Sequence, residues 1–228
     1  MSPPIDNDAQ ALHKVHQMFA REAAFLTRLN HPNIVKVLDH FIEGNRDYLV
    51  LEFIPGLTLR QQVQLSGPFP EQHVIEIGKH IARILYYLHG LQPPLVHRDL
   101  TPDNLIIREP ERTIALIDFG AANEFVGKVT GTLIGKQCYI PPEQFRGHAT
   151  PQSDIYALGA TLYFLLTGVD PTPITVSRPC TIEPAISEHL DEVIAKATAI
   201  ELDNRFATAM ELLDALTTIS CAGSLSRS

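Results

Sequence analysis

The sequence predicts an α+β fold in which helices flank a short strand pair near the start. Three observations carry that expectation. Residues 34–41 and 47–54 are β-branched and aromatic-rich runs with Gly44-Asn45 between them, the pattern of two strands and a turn. Residues 8–29 place Val15, Met18, Phe19, Glu22, Leu26 and Leu29 at spacings of three and four, the period of an amphipathic helix. Residues 70–89 repeat that period with Val74, Ile77, Ile81, Ile84, Leu85 and Leu88.

Taken in order, the first helix carries one anomaly. Glu22 sits inside its apolar stripe. A buried carboxylate without a partner costs ~3–5 kcal/mol, so Glu22 either finds a cation or reaches water at the stripe edge. Ile34, Val35, Val37 and Leu38 build the first strand; Tyr48 to Ile54 build the second, which Pro55-Gly56 ends. Pro70 suits the first turn of the next helix, and Gly90 is a natural stop. Pro93-Pro94 then forces an extended path into Val96. Leu105-Ile106 and Ile114–Ile117 read as two short strands around a polar turn, Arg108 to Arg112. A further helix is expected to start at Asp154 with Ser153 as its N-cap. Domain organisation is read as 1–55, 56–219 and a short, mostly polar, loose tail at 220–228.

Composition narrows the function classes. A hydrophobic content of 45% over 228 residues supports a folded core. Net charge is −8, which argues against a general nucleic-acid or anionic-membrane surface. Tyr156–Val169, the longest apolar stretch, is too short and too interrupted by Gly and Thr to span a bilayer. Cys138, Cys180 and Cys221 show neither metal spacing nor a disulfide framework, and point to a reducing cytosol. The acidic start lacks the apolar core of a signal peptide.

Residues 97–104 read His-Arg-Asp-Leu-Thr-Pro-Asp-Asn, and residues 118–120 read Asp-Phe-Gly. An aspartate to accept a hydroxyl proton, an asparagine five positions on and a later aspartate for Mg²⁺ are the parts that kinase phosphoryl transfer requires. On these motifs the chain resembles the Ser/Thr (Hanks-type) protein kinase superfamily, most of all its bacterial members. Further matches are the Leu29-Asn30-His31-Pro32-Asn33-Ile34-Val35 turn, Ile140-Pro141-Pro142-Glu143, Asp154-Ile155-Tyr156-Ala157-Leu158-Gly159 and Asp203-Asn204-Arg205-Phe206. The resemblance covers residues 9 to about 215.

The resemblance implies a protein-kinase-like fold with a mostly helical C-lobe and a truncated N-lobe of helix C plus two or three strands. It implies ATP and Mg²⁺ as cofactors and a protein as acceptor. Asp99 would accept the hydroxyl proton, and Asn104 and Asp118 would hold Mg²⁺. Around the adenine it implies the Glu52 carbonyl, the Ile54 N–H and Leu51 as gatekeeper, with Ile106 also in the cofactor site. Glu22 becomes the helix-C glutamate that pairs with a strand lysine, Asp154 the anchor of the catalytic loop, and Arg205 the partner of Glu143. Thr130 and Thr132 would be activation-loop phosphosites, with Arg98 as the phosphate partner.

Two departures stand out. No G-x-G-x-x-G occurs, and the only lysine before Glu22 is Lys14, eight residues away on the same helix. That is ~12 Å along the axis, so Lys14 is a surface residue and the chain would begin just after the lysine-bearing strand. Second, the family's lysine two positions after the catalytic aspartate is here Thr101, and the family's threonine before the Tyr-x-Pro-Pro-Glu run is here Lys136. Lysine and threonine stand in each other's places, so Lys136 is expected to supply from the opposite wall the charge that Thr101 cannot. A surface Lys136 beside a loop Thr101 is the plainer reading. Three functional readings follow: a Ser/Thr-protein kinase domain, a catalytically inactive pseudokinase scaffold, or a small-molecule phosphotransferase of the aminoglycoside type. Further domains in a longer parent protein are compatible with all three.

Overall fold

The computed structural model describes residues 16–17, 19–20, 23–24, 26–44, 46–109, 113–118 and 136–225. The chain divides into two compact units, Met1–Pro55 and Gly56–Ser228.

In the first unit, helix α1 is described at residues 16, 17, 19, 20, 23, 24 and 26. Ala23 and Leu26 are buried, as a helical stripe requires; Val15, Met18 and Glu22 lie outside the described residues. His16 Nδ1 lies 2.7 Å from Asp47 Oδ1, which ties α1 to the sheet. Strands β1 (Val37–Glu43) and β2 (Arg46–Leu51) pair antiparallel, closing with Glu43 opposite Arg46. Gly44 takes φ +61° in the connecting turn, a conformation that favours glycine. Phe41 and Tyr48 stack across the pair with ring centroids 5.0 Å apart. The strands are offset from the expected 34–41 and 47–54. The turn at Pro32-Asn33, closed by the Ile34 N–H on the His31 carbonyl, delays β1. β2 ends at Leu51, ahead of Pro55, which has no N–H to give to a ladder.

The second unit begins with strand β3 (Gly56–Thr58), which pairs antiparallel with β4 (Leu105–Arg108), itself paired with β5 (Thr113–Leu116). β3 has only three residues and opens on a glycine, so no alternation announces it. Gly56 is obligatory: its φ is +142°, and a Cβ there would lie 2.0 Å from the Ile107 carbonyl oxygen. Helix α2 (Leu59–Ser66) follows, its start set by a reciprocal cap between Thr58 and Gln61. Sequence reading missed α2, although Thr-x-x-Gln before Leu59 and Val63 is its signature.

Helix α3 (Glu71–His89) matches the expected 70–89 to within one residue, and all six stripe residues are buried. Each large apolar side chain so buried contributes ~1.5–3 kcal/mol. After the one-turn helix α4 (Pro142–Phe145) comes helix α5 (Pro151–Thr167), buried at every residue from Ser153 to Leu166. Around it pack α3, α6 (Glu188–Ala197) and α7 (Ala209–Leu225). The expected cap of α5 is corrected: Thr150 is the N-cap and Ser153 the third helical residue. Pro151 takes the first helical position, where a missing N–H costs nothing, and the Ser153 hydroxyl accepts the Thr150 N–H at 3.0 Å. Helix α7 continues to Leu225, through the stretch expected to be loose from Ser220. No helix among the described residues is long and apolar enough to cross a membrane.

Candidate active site

The loop at 97–104 is suspended from α5. Asp154, fully buried, accepts the Arg98 N–H at 2.8 Å through Oδ1 and the His97 N–H at 2.9 Å through Oδ2. His89 Nε2 lies 2.8 Å from the same Oδ2. This clamp holds Arg98 at φ +69°, a left-handed conformation that costs a non-glycine residue ~1–3 kcal/mol unless its surroundings enforce it. Gln144 of α4 adds a hydrogen bond to the Arg98 carbonyl at 2.7 Å. Burial pushes the His97 imidazole below its ordinary value, against the opposing pull of Asp154 and Asp99.

The clamp delivers Asp99 to Asn104. Asn104 Nδ2 donates to the Asp99 carboxylate at 2.9 Å and to the Asp99 carbonyl at 2.8 Å. Asn104 closes a single 3-10 turn, Pro102–Asn104, and is buried. Its carbonyl accepts the Ile117 N–H at 3.0 Å, so the residue before Asp118 is tied directly to Asn104. Asp118 follows β5 and is exposed. The structure thus brings Asp99, Asn104 and Asp118 to one end of the β4–β5 ladder. With Nδ2 committed to Asp99, the side-chain oxygen of Asn104 remains as an acceptor. That oxygen and the Asp118 carboxylate are the donor types that would hold Mg²⁺, which binds through one or two carboxylates plus phosphate oxygens. Among the described residues no group of three or more His, Cys, Asp and Glu could hold a metal by itself.

The other expected site residues distribute as follows. Thr101 is buried, and its hydroxyl has no hydrogen-bond partner among the described residues. Lys136 opens a 3-10 turn, Lys136–Tyr139; its side chain, and with it the expected approach to Thr101, lies outside the described residues. Ile106 sits in β4 opposite Thr58 and Ala115. Leu51, Glu52 and Ile54 belong to the first unit. There the Glu52 N–H donates to the Lys36 carbonyl at 2.9 Å, its carboxylate accepts the Lys36 N–H at 3.1 Å, and Ile54 is buried. Glu22, Thr130 and Thr132 lie outside the described residues.

The expected Glu143–Arg205 pair is present, with Nη1 to Oε1 at 2.7 Å. Burial works to raise the Glu143 carboxyl, but the Arg205 hydrogen bond and charge, a backbone hydrogen bond and the Ser153 hydroxyl together outweigh it and hold the group below its ordinary value. Sequence reading missed Arg60, His89, Gln144 and Asp170. Arg60 meets Asp103, Tyr139 and Asp170, which are 43, 79 and 110 positions away. No local spacing encodes such a meeting.

Residues 5–219 match the protein kinase domain family. The chain belongs to that family. This protein kinase domain is 34% identical to serine/threonine-protein kinase B of Synechocystis sp. over 230 aligned residues, which take in 93% of this chain and 40% of that protein. It is 37% identical to serine/threonine-protein kinase PknB of Mycobacterium leprae, over 85% of this chain and 34% of that protein. Among solved structures it is similar to the kinase domain of Mycobacterium tuberculosis PknI, with a TM-score of 0.74 and 27% identity over 89% of this chain and 78% of that one. The kinase domain therefore spans well under half the length of these curated relatives.

Proposed function

We propose that this kinase domain transfers the γ-phosphate of ATP to a serine or threonine hydroxyl of a protein. The observation that carries the reading is the Asp99–Asn104 pair, held at 2.9 Å in a loop clamped by Asp154. Asp99 orients the acceptor hydroxyl and takes its proton. Asn104 and Asp118 hold Mg²⁺, which when bound neutralises charge on the β- and γ-phosphates. In the first unit the Glu52 carbonyl, the Ile54 N–H and Leu51 are assigned to the adenine edge and Glu22 is assigned as the helix-C glutamate; in the second unit Ile106 is assigned as a nucleotide contact. A protein acceptor is favoured over a small molecule because the curated relatives are named serine/threonine-protein kinases. Arg98 Nε is buried with no hydrogen-bond partner among the described residues, which supports it as partner to a phosphate on Thr130 or Thr132.

Thr101 and Lys136 act as an exchanged pair, the ammonium reaching the γ-phosphate from the acceptor side while the Thr101 hydroxyl takes the place of a threonine on that wall. The Thr101 hydroxyl, buried with no hydrogen-bond partner among the described residues, supports this reading. Reciprocal exchange tests it: Lys136→Thr alone loses transfer, and Thr101→Lys added to it restores most of the loss. A double variant no better than Lys136→Thr defeats the exchange.

A nucleotide-binding scaffold without transfer is the second reading, favoured by the lack of any G-x-G-x-x-G in the 228 residues. Calorimetric titration with Mg²⁺-ATP, beside a transfer assay to dephosphorylated casein, separates the two. Metal-dependent binding lost in Asp118→Asn, with transfer lost in Asp99→Asn, supports the kinase. Binding without transfer supports the scaffold.

A further inference from the structure

Arg60, in the first turn of α2, joins four elements at once. Its Nε donates to Asp103 Oδ2 at 2.8 Å, and its Nη2 donates to Tyr139 Oη at 3.1 Å. Nη2 and Nη1 reach the two oxygens of Asp170 at 3.0 and 3.3 Å. The Tyr139 hydroxyl in turn donates to Asp170 Oδ1 at 2.5 Å. The guanidinium lies over the Phe164 ring of α5, 4.5 Å from its centroid. Burial alone would lower the Arg60 value, but the Asp170 and Asp103 hydrogen bonds outweigh it and raise it. Burial and then Asp170 push the Tyr139 phenol up, so it stays protonated and can donate.

The partners matter because of what they adjoin. Asp103 and Asn104 are consecutive residues of the same single turn, Pro102–Asn104. Tyr139 ends the turn that Lys136 opens and leads into Ile140-Pro141-Pro142. One guanidinium thus fastens the turn presenting Asn104 to the segment on the acceptor side. The Arg60 side chain is only 18% exposed while Asp103 and Asp170 are 41% and 40% exposed, so the cation is enclosed and the carboxylates form its outer rim.

We propose that Arg60 is a positioning residue for phosphoryl transfer, fixing the acceptor-side segment 136–141 against the catalytic loop. The role rests on the kinase reading above, but the fastening itself does not need it. Lysine cannot substitute, since a single ammonium offers no planar fork to span Asp103, Tyr139 and Asp170 together. A displacement of about 1 Å of an acceptor wall is enough to cost ~100-fold in rate.

The test uses the full 228-residue chain with Arg60→Met, Arg60→Lys and Tyr139→Phe. Hydrogen exchange is followed in 136–141 and in α3, and transfer to dephosphorylated casein is measured at varied casein and varied ATP. Arg60→Met and Arg60→Lys should both speed exchange in 136–141 by about tenfold or more while α3 stays protected. Tyr139→Phe, which keeps both carboxylates on Arg60, should give a smaller increase. Casein kcat/KM should fall about tenfold or more with the KM for ATP changed less than about twofold. Unchanged exchange in 136–141 in both Arg60 variants overturns the proposal, as does full function in Arg60→Lys. If Arg60→Met does not fold, Arg60→Lys and Tyr139→Phe carry the same comparison. If wild type transfers nothing, the kinase reading has failed, and the exchange measurements alone decide whether Arg60 organises the segment.

Discussion

Asp154 grips Arg98 by its backbone N–H at 2.8 Å while Arg98 holds φ at +69°. A helix carboxylate with no solvent exposure thereby maintains the shape of the loop that carries Asp99. Asp154→Asn keeps the volume but exchanges one acceptor oxygen for a donor facing an N–H. The loss of one charge-assisted hydrogen bond costs ~1.5–3 kcal/mol. For a domain of this size the melting temperature should fall by about 2–4 °C for each kcal/mol. Scanning calorimetry showing an unchanged melting temperature would mean that the 97–98 backbone has other support.

Glu143 gives a pH dependence of known sign. Its folded-state value lies below the ordinary 4.5 because Arg205 holds the carboxylate. The unfolded chain therefore binds the proton first as the medium is acidified, and stability falls. The contribution is complete above pH ~4.5 and is lost as the pH drops through the lower folded-state value. Glu143→Gln should flatten the melting curve against pH in that range. It should also lower stability near neutrality, because Arg205 is left buried without its counter-charge.

At Gly159 α5 packs tightly against the end of α6. A Cβ built there would lie 2.8 Å from Ala197 Cβ and 2.9 Å from Thr198 Cγ2. Gly159→Ala gains helix propensity of ~1 kcal/mol, yet overpacking of this kind costs ~1–3 kcal/mol. The expected outcome is net destabilisation by urea unfolding; a stabilised variant would show that α6 yields freely.

Asn104→Leu removes the amide that holds Asp99 and, on the proposed function, the oxygen that would hold Mg²⁺. Metal-dependent ATP affinity should fall ~10–100-fold, the range seen when groups ordering a metal site are lost. Chelation of Mg²⁺ with EDTA should weaken binding to wild type and have little further effect on the variant. Titration calorimetry reads both.

Much of this was legible from residue spacing. The α3 stripe came through because Val74 to Leu88 keep one period through most of a nineteen-residue helix. The contact of Asp99 with Asn104 was legible because one local turn holds both, and the β4–β5 hairpin ties the residue before Asp118 to Asn104. The Glu143–Arg205 pair came through by family resemblance, although its partners are 62 positions apart. β3 stayed hidden because three residues cannot show a period, and α2 because eight residues give a weak stripe behind a cap. The cap of α5 was misplaced by three residues because Ser153 and Thr150 are both good capping types, and only Pro151 discriminates. Arg60 was invisible because its partners come from three remote stretches of chain.

Helix α5 has no polar face to show to water, since all of Ser153 to Leu166 is interior. Its covers α6 and α7 lie later in the chain. A ribosome making this protein must therefore release an oily helix before much of its wrapping exists. Until α6 and α7 arrive, the faces of α5 that they cover are open to the wrong partners. The element that gives the catalytic loop its anchor is also the one a nascent chain is least able to leave exposed, and holdase chaperones would find it there.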